Sequence, residues 1–156
     1  MAKQLRAQID IHATPERVWQ VLTDFGAYPK WNPFITRAEG SLRRGERLTV
    51  RLQPVGGRGM TFRPTVLEAT PAVRLRWLGH LLVTGVFDGE HSFTIQPLGG
   101  GRVRLVQQED FHGLLVPLLA GSLDRRTLPA FERMNQALKR RAERPEPEAA
   151  SRDHRG

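Results

Sequence analysis

From Ile35 to about Gly113 the apolar residues of this chain recur at every second position, with a helical period on either side. No other feature narrows the possible folds so far. Side chains of an extended strand alternate between faces, so a sustained period of two commits the stretch to strands with one buried face. RLTVRL sets Leu48, Val50 and Leu52 on one face. MTFRPTVLE groups Met60, Phe62 and Val66, and Pro64, which cannot donate to a ladder, marks an edge or a bulge. VRLRWLG turns Val73, Leu75 and Trp77 inward and Arg74 and Arg76 outward. VFDGEHSFTI and GRVRLVQQEDF flank Pro97-Leu98-Gly99-Gly100-Gly101, which reads as a hairpin turn.

The flanks complete the pattern. LRAQIDI alternates, with Leu5, Ala7, Ile9 and Ile11 on one face, and reads as a half-buried strand. A helix follows, with Thr14 as N-cap, Pro15 at its first position and Glu16 in its first turn. Val18, Val21, Leu22 and Phe25 form its buried stripe, and Gly26 is expected to end it. AYPKWNPF has room for only a turn of helix between its prolines. Beyond Gly113, Leu115, Leu118, Leu119, Leu123, Phe131, Met134 and Leu138 stand at helical spacing, with an irregularity expected at Pro129. The tail from Arg144 to Gly156 has no apolar residue larger than alanine and is expected to be disordered.

The expected fold class is therefore α+β. About seven antiparallel strands form one curved sheet, two short helices lie between the first two strands, and the long C-terminal helix covers the apolar face. The length of 156 residues suits one domain, expected over residues 3–143, with residues 144–156 as the tail. With no cysteine in the chain, disulfides, thiolate metal sites and cysteine nucleophiles are excluded. No apolar run approaches a membrane span and the N-terminus lacks a signal-peptide core, so a cytoplasmic location is expected. The net charge of +8 is carried almost entirely by scattered arginines, an arrangement that suits solubility better than a nucleic-acid surface. No two histidines stand at metal-ligand spacing with a carboxylate, so no metal and no cofactor is implied. Oligomeric state is not legible.

Parity isolates one polar group of interest. His91 shares a face with Phe87, Phe93 and Ile95, and Gln107 and Glu109 share one with Val103, Leu105 and Phe111. Pairing across the glycine loop sets His91 opposite or diagonal to Gln107 and Glu109. Three polar groups on an apolar face need partners, since burying them unpaired is costly. Two readings stand open: His91 and Glu109 brace the sheet as a pair, or they face a ligand. Five of the eleven aromatic residues lie between Trp19 and Phe34. Trp31 is expected in a cavity wall, and Tyr28 is left open.

ATPERVWQVLTDFGAYPKWNPFI, LRWLG, GEHSFTI, GGGRVRLVQQEDFHGLL and AFERMNQALKRRAE resemble, in that order, the START/Bet v1-like superfamily and within it the polyketide cyclase/dehydrase-like group. The resemblance implies a helix-grip fold, in which the sheet grips the last helix and a cavity lies between them. It implies as leading function the binding of a small hydrophobic molecule (a lipid, a polyketide-like or an isoprenoid compound) by a carrier or sensor. The ligand-facing set is then Trp31, Phe62, Trp77, His91, Phe93, Gln107 and Glu109. An alternative is a cyclase or dehydratase with Glu109 and His91 as acid and base. A third is a module that contacts RNA, the ribosome or a chaperone.

Overall fold

The computed structural model describes residues 2–81 and 83–145. The alternating LRAQIDI segment lies within β1, Ala2–Ile11, and pairs antiparallel with β8, Arg102–His112, from Ala2 opposite His112 to Ile11 opposite Val103. The expected helix forms as α1, Pro15–Thr23, where Thr14 Oγ1 accepts from the Arg17 N–H and Val18, Val21 and Leu22 are buried. Gly26 does not end it. Asp24 closes α1, and Gly26 lies inside a 3₁₀ turn, Phe25–Ala27, leading into α2, Tyr28–Trp31.

Two antiparallel sheets follow. β2, Ile35–Glu39, β3, Thr49–Leu52, and β4, Met60–Phe62, form a three-stranded sheet in that order. β5, Thr65–Thr70, β6, Arg74–Leu81, β7, Phe87–Gly99, and β8 form a five-stranded sheet with β1, ordered β1-β8-β7-β6-β5. An isolated bridge from Arg47 to Thr65 and a hydrogen bond from the Leu48 N–H to the Pro64 carbonyl join the two into one curved surface. The division falls at Pro64. MTFRPTVLE is two strands rather than one, because a residue without an N–H cannot continue a ladder. Met60 accordingly leaves the core and is 45% exposed, whereas Val66 stays buried. Among the described residues the strands number eight, where about seven were expected.

Two further expectations are corrected. Val73 does not point inward but is half exposed: it ends a turn whose Ala72 adopts φ 61, and β6 begins only at Arg74. Leu118 is 80% exposed rather than part of a buried stripe. The C-terminal helix comprises α3, Val116–Ser122, a π turn, Leu123–Thr127, and α4, Leu128–Ala142. The irregularity expected at Pro129 thus lies just before it. The proline ring would collide with the carbonyl four residues back, and one wider turn clears that clash. From α4, Ala130, Phe131, Met134, Leu138 and Ala142 pack into the core against Leu5, Ile11, Leu105 and Val103. Arg144 and Pro145 are exposed, and the expected disorder of residues 146–156 lies outside the described residues. No helix among the described residues is long and apolar enough to cross a membrane.

Candidate functional site

The split between the two sheets opens a cavity of about 100 Å³. Val50, Leu52 and Phe62 wall it from the small sheet, with Phe34 just before that sheet begins, and Trp77, Leu81, Phe87 and Phe111 from the large one. Leu123 and Thr127 of the π turn close a third side. Into this apolar wall project His91 and Glu109.

Their placement follows from register. His91 on β7 stands opposite Glu109 on β8, and Phe93 opposite Gln107, so Gln107 is diagonal to His91 on the same face. Glu109 Oε2 lies 3.0 Å from His91 Nδ1, and His91 Nε2 lies 3.0 Å from Gln107 Oε1. Gln107 Nε2 donates to Asn135 Oδ1 of α4 at 2.8 Å and, more weakly, to the Phe131 carbonyl at 3.4 Å. Because that carbonyl can only accept, the nitrogen end of Gln107 faces the helix and its oxygen faces the imidazole. In this orientation His91 Nε2 is the donor to Gln107 Oε1, and Nδ1 makes the second hydrogen bond of the ring, with Glu109 Oε2. The imidazole sits in a cage of aromatic rings. Trp77 stacks on His91 at 5.5 Å, Phe93 lies at 4.8 Å, and Phe131 meets it edge-on at 5.1 Å. His91, Gln107 and Asn135 are all buried, and Asn135 Nδ2 has no partner among the described residues.

Glu109 is held differently. Oε2 bonds His91, while Oε1 has no hydrogen-bond partner among the described residues and lies beside Gly89, which lines the cavity together with Glu109. Space for it comes from Gly89 on β7: a Cβ there would overlap Oε1 and come within 3.6 Å of the Phe111 ring. At the cavity mouth His80 Nδ1 meets Asp88 Oδ1 at 2.7 Å across β6 and β7, and Asp88 also accepts from the Gly85 N–H. The hydrogen bond from His80, aided by that from Gly85, holds the Asp88 carboxyl below its ordinary value.

Of the seven residues expected to face a ligand, the structure brings Phe62, Trp77, His91 and Glu109 to the cavity. Phe93 and Gln107 lie behind His91 and do not line it. Trp31 does not line it either. It packs edge-on against Tyr28 at 5.2 Å, and Tyr28 in turn against Phe25 at the same distance. Tyr28 is core, its hydroxyl donating to the Leu22 carbonyl, and burial pushes its phenol well above the ordinary value. From this aromatic segment only Phe34 reaches the cavity wall. Sequence reasoning also missed Gly89 and Asn135. Asn135 had a readable signal, a polar residue inside the inward stripe of Phe131, Met134 and Leu138; Gly89 had none, because its role depends on the side chain across the ladder.

Comparison with known proteins fits this geometry. The family model described as "Polyketide cyclase / dehydrase and lipid transport" matches residues 2–143. Among solved structures, the Zhui aromatase/cyclase from Streptomyces sp. R1128 is similar with a TM-score of 0.74 and 17% identity, over 96% of this chain and 99% of that one. A START superfamily protein from Mycobacterium smegmatis is similar with a TM-score of 0.65 and 24% identity, over 90% of this chain and 97% of that one. A norcoclaurine synthase point mutant from Thalictrum flavum, in complex with a transition-state analogue, gives a TM-score of 0.70 at 13% identity, over 91% of this chain and 94% of that one. At such identities the likeness concerns the fold. No curated protein sequence matches.

Proposed function

The chain belongs to the polyketide cyclase/dehydrase and lipid transport family, and on that premise we propose that it binds a small, largely apolar molecule bearing a hydroxyl, as a carrier or sensor. One observation carries this reading: an apolar cavity whose wall holds a carboxylate oxygen, Glu109 Oε1, with no protein partner among the described residues. An apolar enclosure with few convergent polar groups is the usual make-up of a ligand site. The relay through His91, Gln107 and Asn135 anchors Glu109 to α4, so the acceptor is already oriented when a ligand arrives. A lipid, polyketide-like or isoprenoid compound offers the matching combination of apolar body and isolated oxygen.

A second reading is favoured by the hydrogen bond between Glu109 and His91. The two groups stand beside the cavity as an acid–base pair, and a bound carbonyl or hydroxyl could exchange a proton with Glu109 while Gln107 keeps the imidazole in place. That is the equipment of a cyclase or dehydratase. The two readings share their binding step.

Titration calorimetry with p-cresol and toluene tests that step. The protein should bind p-cresol more tightly than toluene, and Glu109→Gln should lower p-cresol affinity by about tenfold, since a hydrogen bond to a charged acceptor is roughly twice as strong as a neutral one. Toluene binding should be unchanged, which also reports that the variant is folded. If neither probe binds, or if the variant retains its preference for p-cresol, the reading fails.

A further inference from the structure

The cavity is small. Its volume of about 100 Å³ falls below the roughly 300–1,000 Å³ of most ligand sites, so much of any larger ligand must lie outside it. Directly outside, on the solvent side of the split, runs a groove that shares Met60, Phe62, His80 and Leu81 with the cavity wall. A ligand leaving the cavity enters this groove.

Its chemistry is specific. Arg47 and Arg63 line it, and neither has an ion-pair partner among the described residues. Arg47 Nε donates to the Arg63 carbonyl at 3.4 Å, so the exposed Arg47 side chain is tethered to the backbone just after β4. Among the described residues no carboxylate lines the groove; Asp88, at the cavity mouth, is occupied by His80 and the Gly85 N–H. Other arginine-lined grooves differ on this point. The one formed with Arg74 and Arg76 also contains Glu90 and Asp110, and Arg76 is bound there by Glu90. The one beside Arg141 and Arg144 contains Asp24. Two guanidinium groups without a counter-charge at the exit of an apolar cavity suit an anion better than they suit each other.

We infer that the ligand of the cavity is an amphiphile with an anionic head, a carboxylate or a phosphate, whose apolar body enters between the sheets while its head is held in the groove by Arg47 and Arg63. This deepens the reading above and rests on it. Binding at the head contributes through charge and is screened by salt, whereas binding of the body is not.

Three probes of one apolar body test the inference by calorimetry on the full chain: 4-phenylbutyrate, 3-phenylpropyl phosphate and 4-phenylbutanol. At low salt at least one anion should bind about tenfold more tightly than the alcohol, and the tighter of the two names the head. Raised salt should shrink that advantage, and Arg47→Gln with Arg63→Gln should abolish it while alcohol binding stays within about twofold. Unchanged alcohol binding certifies the fold of the double variant; should that variant not fold, the salt dependence of the natural chain decides alone. Anions and alcohol binding alike, or an anion advantage that survives in salt or in the double variant, would overturn the inference and leave the cavity reading standing. Failure of all three probes to bind would overturn both.

Discussion

Toward its end the last helix is regular. Phe131, Met134, Leu138 and Ala142 recur about one turn apart and are buried, and Lys139 Nζ donates to the Asp10 carbonyl and pairs with Glu143. The segment that precedes it behaves otherwise. Val116–Ser122 leaves Leu118 on the surface, and the π turn Leu123–Thr127 borders the cavity. The same contrast runs along β7 and β8. Near the glycine hairpin Ile95, Val103 and Leu105 are sealed under the helix, while at the far end Gly89, His91 and Glu109 face the hollow. What separates the two regions is the cover. A regular amphipathic helix fills one end of the sheet with interlocking side chains, whereas a three-residue strand and a widened helical turn span the other and leave space. On this contrast the fold's stability is expected to rest mainly on the closed end, and the proposed binding on the open one.

This contrast can be broken or sharpened by mutation. The largest effect is expected from Leu138→Ala at the closed end, which should lower stability by about 2–5 kcal/mol through lost burial and a residual void. Leu118→Ala should stay within about 0.5 kcal/mol. Urea denaturation of both variants measures the difference, and equal losses would mean that the two ends are built alike. Gln107 stands at the seam between the regions. Gln107→Leu strands His91 Nε2 and Asn135 Oδ1 together and should cost about 1–3 kcal/mol, read in the same experiment; a neutral outcome would detach the polar chain from the helix.

Smaller effects concern the open end alone. Gly89→Ala places a methyl group where Glu109 Oε1 now lies, so the carboxyl must swing away. Binding of p-cresol should fall several-fold while toluene binding and stability change little, and a variant that binds p-cresol as the natural chain does would show that Oε1 is not a ligand contact. The smallest effect is a pH dependence. Asp88 has a folded pKa below its ordinary 3.8 because His80 and the Gly85 N–H bond its carboxylate. Its contribution to stability is therefore complete above the unfolded value and disappears as the pH falls through the lower folded one. Thermal melts across the acid range should show a slightly shallower acid decline for Asp88→Asn than for the natural chain. A decline of the same slope would mean that the mouth is not braced by this pair.

Much of this was legible before folding, because periodicity specifies faces. The alternation on β7 and β8 set His91, Gln107 and Glu109 inward, and the ladder brought them into contact. The Thr14 cap and the single turn at Tyr28–Trp31 followed from local chemistry. Legibility ended where a residue's role depends on something distant in sequence. Trp31 and Phe34 are both aromatic and three positions apart, yet one packs on Tyr28 and the other walls the cavity. Val73 and Leu118 obey the apolar pattern and still face water, since a turn and a widened helix rotate them away from the core.

The sequence by itself determined the order of elements, the inward face of each principal strand and the polar trio, because these rest on spacing and on local backbone preference. Tertiary structure alone decided that Pro64 divides the sheet rather than bulging it, that the hollow opens at the division, and that Asn135 anchors the trio to the helix. The physical reason is that a period constrains direction and not distance. A cavity is the space left after every neighbouring side chain has packed, and no single segment encodes that remainder.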